Sequence, residues 1–139
     1  MSLRFLLDTN VASEPLRPKP KPHILACLKQ YQSELAIASV VWHELWFGCC
    51  RLPKSAKRTA IEAYLKEVVA RTIPVLPYDD RAAEWHALER ARLIAAGKTP
   101  AFVDGQIAAV AHVNELTVVT FNAPDYSEFS DIKVTDWVS

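Results

Sequence analysis

Short apolar runs alternate along the chain with longer stretches whose apolar residues return every three or four positions. The first pattern belongs to buried strands and the second to amphipathic helices. Leu3-Arg4-Phe5-Leu6-Leu7 ends abruptly in Asp8-Thr9-Asn10, a buried strand followed by a polar turn. Pro15 to Pro22 holds four prolines and three cations in eight residues, so it cannot continue a helix and stays solvated. His23 to Gln32 forms a short helix with Pro22 in its first turn. Leu35-Ala36-Ile37-Ala38 reads as a second strand, and Ser39 as the N-cap of a helix from Val40 to about Arg51. That helix is apolar nearly all round, which predicts burial on both sides, part of it in a subunit interface. From Lys54 to Thr72 the set Ile61, Tyr64, Leu65, Val68 and Val69 steps at helical spacing. Ile73 to Leu76 is a short strand interrupted by Pro74. Asp79 or Asp80 caps a long helix that reaches Ala96 and is closed by Gly97. Phe102 to about Glu115 is an alanine-rich helix, Thr117 to Thr120 an apolar strand, and Ile132 to Val134 an edge strand. This alternation predicts an α/β fold around a mainly parallel sheet. No repeat or linker divides the chain, so residues 1–139 read as one domain.

Composition agrees. With 139 residues, half of them hydrophobic, the chain can bury one core and is too short for two ordinary domains. Sixteen basic and sixteen acidic residues cancel, which argues against a polycationic binder. The balance hides an asymmetry: residues 1–58 carry nine Lys/Arg against four Asp/Glu, and residues 59–139 carry seven against twelve. No apolar run approaches the roughly 20 residues that span a membrane. The N-terminus reaches charge too soon for a signal peptide, so a cytoplasmic location is expected. Cys27, Cys49 and Cys50 have no metal-like spacing and read as reduced, mostly buried thiols.

Candidate chemistry follows from topology, because parallel sheets build their sites beyond the carboxyl ends of the strands. Asp8 follows the first strand directly. Asn122 and Asp125 follow the Thr117–Thr120 strand, Glu44 lies one turn into the helix after the second strand, and Asp104 opens the helix before the Thr117 strand. Crowded carboxylates repel unless they are protonated or bridged by a cation, and oxygen-only donors suit Mg²⁺ or Mn²⁺. Each residue also has a local alternative: Asp8 and Asp125 as turn residues, Asp104 as a helix-dipole partner. Glu44 sits among Trp42, Leu45, Trp46 and Phe47, where an acid needs a partner. His43-Glu44 begins a zinc-helix pattern that fails at Phe47, and His23, His86 and His112 share no ligand spacing, so structural roles are expected for them. A nucleophile elbow and a Gly-rich phosphate loop are both absent from the sequence.

With these acids in order, the chain resembles the PIN-domain ribonucleases, specifically the VapC-type toxins of toxin–antitoxin pairs. The matching segments are Leu6-Leu7-Asp8-Thr9-Asn10, Ala38 to Leu45 with Gly48, Pro100 to Asp104 with Ile107-Ala108-Ala109, and Val118 to Tyr126. The resemblance implies a three-layer α/β/α sandwich and a Mg²⁺- or Mn²⁺-dependent endoribonuclease that cuts single-stranded or loop RNA. By the same resemblance Asp8, Glu44 and Asp104 hold the metal, Asp125 is a further catalytic acid, and Thr9, Asn10, Thr120 and Asn122 support them. The last motif usually reads T-R-N-x-x-D-F; here Phe121 replaces the Arg and Tyr126 the Phe, which removes a cation near the site. The implied partners are a cognate antitoxin and a second copy of the chain, with a heterotetramer or larger assembly once antitoxin binds. Arg17, Lys19 and Lys21, and equally Arg51, Lys54, Lys57 and Arg58, read either as a mobile cationic rim for an RNA backbone or as plain solvated loop and helix surface.

Three other readings compete. A haloacid-dehalogenase-type phosphatase needs a second Asp where Asn10 stands, and a receiver domain needs a phosphoacceptor Asp and a Lys that are not evident. A PIN-like fold kept only for binding RNA or protein predicts binding that survives Asp8→Asn and ignores chelators.

Overall fold

The computed structural model describes residues 2–137. Strands β1 (Phe5–Leu7), β2 (Leu35–Ala38), β3 (Val75–Leu76), β4 (Thr117–Val119) and β5 (Lys133–Thr135) form one sheet in the order β3-β2-β1-β4-β5. Every neighbouring pair is parallel, with Phe5 opposite both Leu35 and Thr117 and Val118 opposite Val134. Leu6, Leu7, Ala36, Ile37, Val118 and Val119 have no exposed surface. Continuous apolar runs are what strands covered on both faces require.

Helices α1 (Thr9–Ala12), α2 (Pro22–Gln30), α3 (Ser39–Cys50), α4 (Ala56–Tyr64), α5 (Ala70–Thr72), α6 (Asp80–Ala95) and α7 (Phe102–Val113) flank the sheet, giving the expected α/β/α architecture. Several boundaries move. The polar turn after β1 is the start of α1, followed by a 3₁₀ turn over Glu14–Leu16. Ala38, not Ser39, is the N-cap of α3; Ser39 is already helical and its Oγ accepts from the Tyr78 amide at 3.1 Å. The expected 54–72 helix starts at Ala56, capped by Ser55, and widens into a π-helical stretch over Leu65–Val69 before α5. Just before that stretch, the Tyr64 hydroxyl donates to the Ala12 carbonyl at 3.0 Å, tying α4 to α1. Pro74 keeps β3 to two residues, although its carbonyl still accepts from Ile37. Asp79 caps α6, and Gly97 closes it with φ +79°.

Small residues set the fit of α7. Gly105 and residues 107–111 are buried, and a Cβ on Gly105 would stand 2.2 Å from the His86 Nε2 of α6. His86 is buried, shares a 2.8 Å hydrogen bond between its Nδ1 and the Tyr78 hydroxyl, and has its pKa lowered by burial and then by Arg90. It is structural, as expected. Glu89 of α6 fastens the loop after β4: its Oε1 accepts from both the amide (2.7 Å) and the hydroxyl (2.6 Å) of Ser130. Arg92 grips the same carboxylate through two nitrogens, at 3.0 and 2.9 Å. Cys27 and Cys49 are buried, but Cys50 is exposed, because the core-facing stripe of α3 runs through Val41, Leu45 and Cys49. No helix among the described residues is long and apolar enough to cross a membrane.

Candidate active site

The chain runs from β1 outward through β2 to β3, then returns to add β4 on the other side of β1. Beyond the carboxyl ends of β1 and β4 the strand order reverses, and that is where a crevice opens in such sheets. Asp8 stands at this point. Its amide donates to the Val119 carbonyl at 3.0 Å, and its Oδ1 caps α1 by accepting from the Val11 amide at 3.1 Å. The side chain is nearly buried, and burial raises its pKa against the hydrogen bonds of Thr120, Val11 and Asn10. Asp125 adds a repulsive contribution in the same direction.

Asp104 lies in the first turn of α7 and is half-buried. Its pKa is also raised, first by burial, then by the charges of Asp125 and Asp8. Three acids from three separate elements therefore share one field. Asp125 sits in the 3₁₀ turn Ala123–Tyr126, where the Asn122 Nδ2 donates to its Oδ2 at 2.6 Å. The Asn122 amide donates to the Thr120 Oγ1 at 3.0 Å, so Thr120 links the Asp8 and Asp125 sides of the site. An open cavity of about 500 Å³ lies in front, lined by Lys98, Pro100, Asp104, Asp125 and Glu128 among others.

One group was legible only as a substitution. The Tyr126 hydroxyl is buried and lies in the field of Asp104, Asp8 and Asp125, with the Asp104 carboxylate as the acceptor its proton faces. Burial, followed by those charges, holds its proton firmly on. A phenol in that state is a donor available to a carboxylate.

The remaining expected residues are placed less tightly. Thr9 and Asn10 open α1 beside Asp8. Glu44 lies on α3 with its side chain 38% exposed and its Oε1 4.0 Å from the His43 Nδ1, so its apolar neighbours in sequence do not enclose it. Trp42 and Trp46 pack edge to face at 5.8 Å, while Phe47 is 55% exposed. Arg51 lies over the Phe47 ring at 5.9 Å, and Lys54 lines a small cavity with Arg58 and Glu62. Arg58 itself is engaged by Glu62 and by the Leu52 carbonyl. The Pro-rich segment is not the free rim expected: Arg17 pairs with Glu14 at 3.4 Å, and the Lys21 Nζ sits 4.0 Å above the Phe121 ring.

The donor set fits a small hard cation by chemistry. Asp8 and Asp104 are oxygen donors whose mutual repulsion a divalent ion would relieve. Among the described residues, no three His, Cys, Asp or Glu side chains are gathered closely enough to form a protein-only cage. Mg²⁺ keeps several waters and is usually held by one or two carboxylates, a number that Asp8 and Asp104 would supply.

The PIN domain model matches residues 5–130. The chain is 34% identical over 134 residues to Toxin FitB of Neisseria gonorrhoeae, covering 91% of this chain and 96% of that one. It is 29% identical to the tRNA(fMet)-specific endonuclease VapC of Salmonella typhimurium, covering 97% and 98%. Among solved structures, the FitAcB crystal structure from Neisseria gonorrhoeae superposes with a TM-score of 0.88 at 31% identity, over 96% of this chain and 97% of that one. Fold, topology and sequence agree that the chain belongs to the PIN-domain family, in the group that holds the FitB and VapC toxins.

Proposed function

We propose that the protein is a divalent-metal-dependent endoribonuclease toxin that cuts single-stranded or loop RNA and is neutralised by a cognate antitoxin. The observation that carries this reading is the shared field of Asp8, Asp104 and Asp125 at the strand-order reversal. A relative named an endonuclease and another named a toxin support it. A toxin tolerated by its own cell needs a neutralising partner.

Asp8, Asp104 and Glu44 are the proposed metal ligands, and Mg²⁺ or Mn²⁺, when bound, supplies positive charge to the phosphoryl oxygens and a Lewis acid for the attacking water. Burial and neighbouring carboxylates raise the proton affinity of Asp8 and Asp104, and a bound divalent cation would offset that cost by holding both in the ionised form. Thr120 orients Asp8, and Asn122 fixes Asp125 so that its charge bears on both partners. Tyr126 keeps its proton and presents it toward Asp104. Unpaired RNA is the favoured substrate class because its bases can be splayed aside while A-form duplex hides them.

A homodimer is part of the proposal. Phe47 on α3, with Leu88 and Ile94 on α6, leaves large apolar side chains in solvent. Light scattering at micromolar concentration should give twice the chain mass, and a monomer removes the dimer. The nuclease itself is tested by incubating antitoxin-free protein with mixed cellular RNA in Mg²⁺ or Mn²⁺, then in EDTA. Metal-dependent cleavage that Asp8→Asn abolishes supports it. RNA binding without cleavage would favour the binding-only PIN fold.

A further inference from the structure

We propose that Lys21 is a fixed phosphate-binding cation at the rim of the acid site, positioned by the buried carboxylate of Glu14 and the ring of Phe121. The inference rests on the nuclease reading and names a device within it.

Glu14 is fully buried, a costly place for a carboxylate without partners. Both of its partners come from the Pro-rich segment. Its Oε2 accepts from the Lys21 amide at 3.1 Å, across seven residues, and its Oε1 faces the Arg17 Nε at 3.4 Å. Glu14 thus holds the segment by one hydrogen bond, to the Lys21 amide, and by a looser ion pair with Arg17 in which Oε1 gains no hydrogen bond among the described residues. Pro15, Pro18, Pro20 and Pro22 limit what freedom is left. The far end of Lys21 is held as well, with its Nζ 4.0 Å from the centroid of Phe121.

The place of that ring gives the contact its meaning. Phe121 lies between Thr120, which bonds Asp8, and Asn122, which bonds Asp125. A cation on this ring is therefore carried by the strand end that organises the acids. An ammonium has three donors, and a ring face satisfies it electrostatically without using them all. The donors left over match phosphate oxygens. A fixed cation beside three carboxylates offsets part of the repulsion that a polyanion meets there, and a pre-positioned lysine loses little freedom on binding. Glu14 and Phe121 are positioning residues here, and Lys21 is the contact.

The test is fluorescence anisotropy of a labelled single-stranded RNA in Ca²⁺, with wild type, Lys21→Met, Lys21→Arg and Phe121→Leu. Single-strand binding loses about 0.7 in log affinity per log unit of salt for each phosphate contact. Lys21→Met should therefore weaken binding about fivefold at 0.1 M salt and flatten the salt slope by about 0.7. Lys21→Arg should restore the slope, and Phe121→Leu should weaken binding in the same direction. In the cleavage assay, KM should rise with kcat nearly unchanged. Glu14→Ala should reproduce the Lys21→Met loss if circular dichroism shows it folded; the two Lys21 variants decide the matter if it does not fold. Unchanged affinity and salt slope in Lys21→Met, with wild type still cleaving RNA, would overturn this inference and leave the nuclease standing. Wild type that neither binds nor cuts RNA would remove both.

Discussion

Glu89 offers the sharpest energetic test of how the site is held together. Its carboxyl is held at about 2, below the ordinary 4.5, chiefly by Arg92 and then by the hydroxyl and amide of Ser130, against the opposing effect of burial. A shift of that size corresponds to about 3 kcal/mol at roughly 1.36 kcal/mol per unit. Glutamine keeps an acceptor but not the charge, so Glu89→Gln should lose about 2–3 kcal/mol. With an unfolding entropy of about 2.1 cal/mol/K per residue, a chain of this length loses about 3 °C per kcal/mol, or about 7–10 °C in Tm. The depressed pKa fixes the sign with pH. The unfolded chain takes up a proton before the folded one, so this stability is complete above about pH 4.5 and fades as pH falls toward 2. Thermal melts of wild type and variant should therefore be well separated at pH 7 and converge near pH 2.5. A shift under 2 °C at pH 7, or a gap that persists at the lowest pH, would refute the reasoning. Ser130 closes the loop that begins at Asn122, so the variant should also lose RNA cleavage beyond its loss of folded protein.

Three further outcomes follow from the same contacts. Asp104→Asn should melt higher than wild type at pH 7 in EDTA: the folded pKa of Asp104 is raised, so its ionisation opposes folding above that pKa, and the gap should close below about pH 3.8. Mn²⁺ at about 100 times its Kd should raise the wild-type Tm by about 9 °C, from about 2.7 kcal/mol of linkage, and leave Asp104→Asn nearly unmoved. Gly105→Ala should destabilise the protein by about 1–3 kcal/mol in chemical denaturation, because the new Cβ meets the His86 Nε2 at 2.2 Å and the buried ring can give way only by disturbing its Tyr78 hydrogen bond.

The strands and the long helices were legible because period and capping chemistry agree there. Leu6-Leu7, Ile37 and Val118-Val119 are buried on both faces, and Asp79 and Gly97 bound α6. What escaped was chemistry between distant segments. Ser39 looks like a cap, yet its hydroxyl serves the Tyr78 amide thirty-nine residues away. The Pro-rich segment looks mobile because composition cannot show that Glu14 is buried beneath it. Phe121 looks like the loss of a cation, and the structure seats Lys21 on its ring. Of the expected acids, Asp8, Asp104 and Asp125 share one field, as the end-of-strand rule anticipates. Glu44 of α3 keeps a partly exposed side chain, which its apolar neighbours in sequence do not enclose.

The central claim is that these acids form one cation site, and titration calorimetry with Mn²⁺ on folded, antitoxin-free protein tests it most directly. Saturable binding that both Asp8→Asn and Asp104→Asn weaken at least tenfold is the predicted result. Wild type that binds no Mn²⁺, or variants that bind it as well as wild type, would contradict the account.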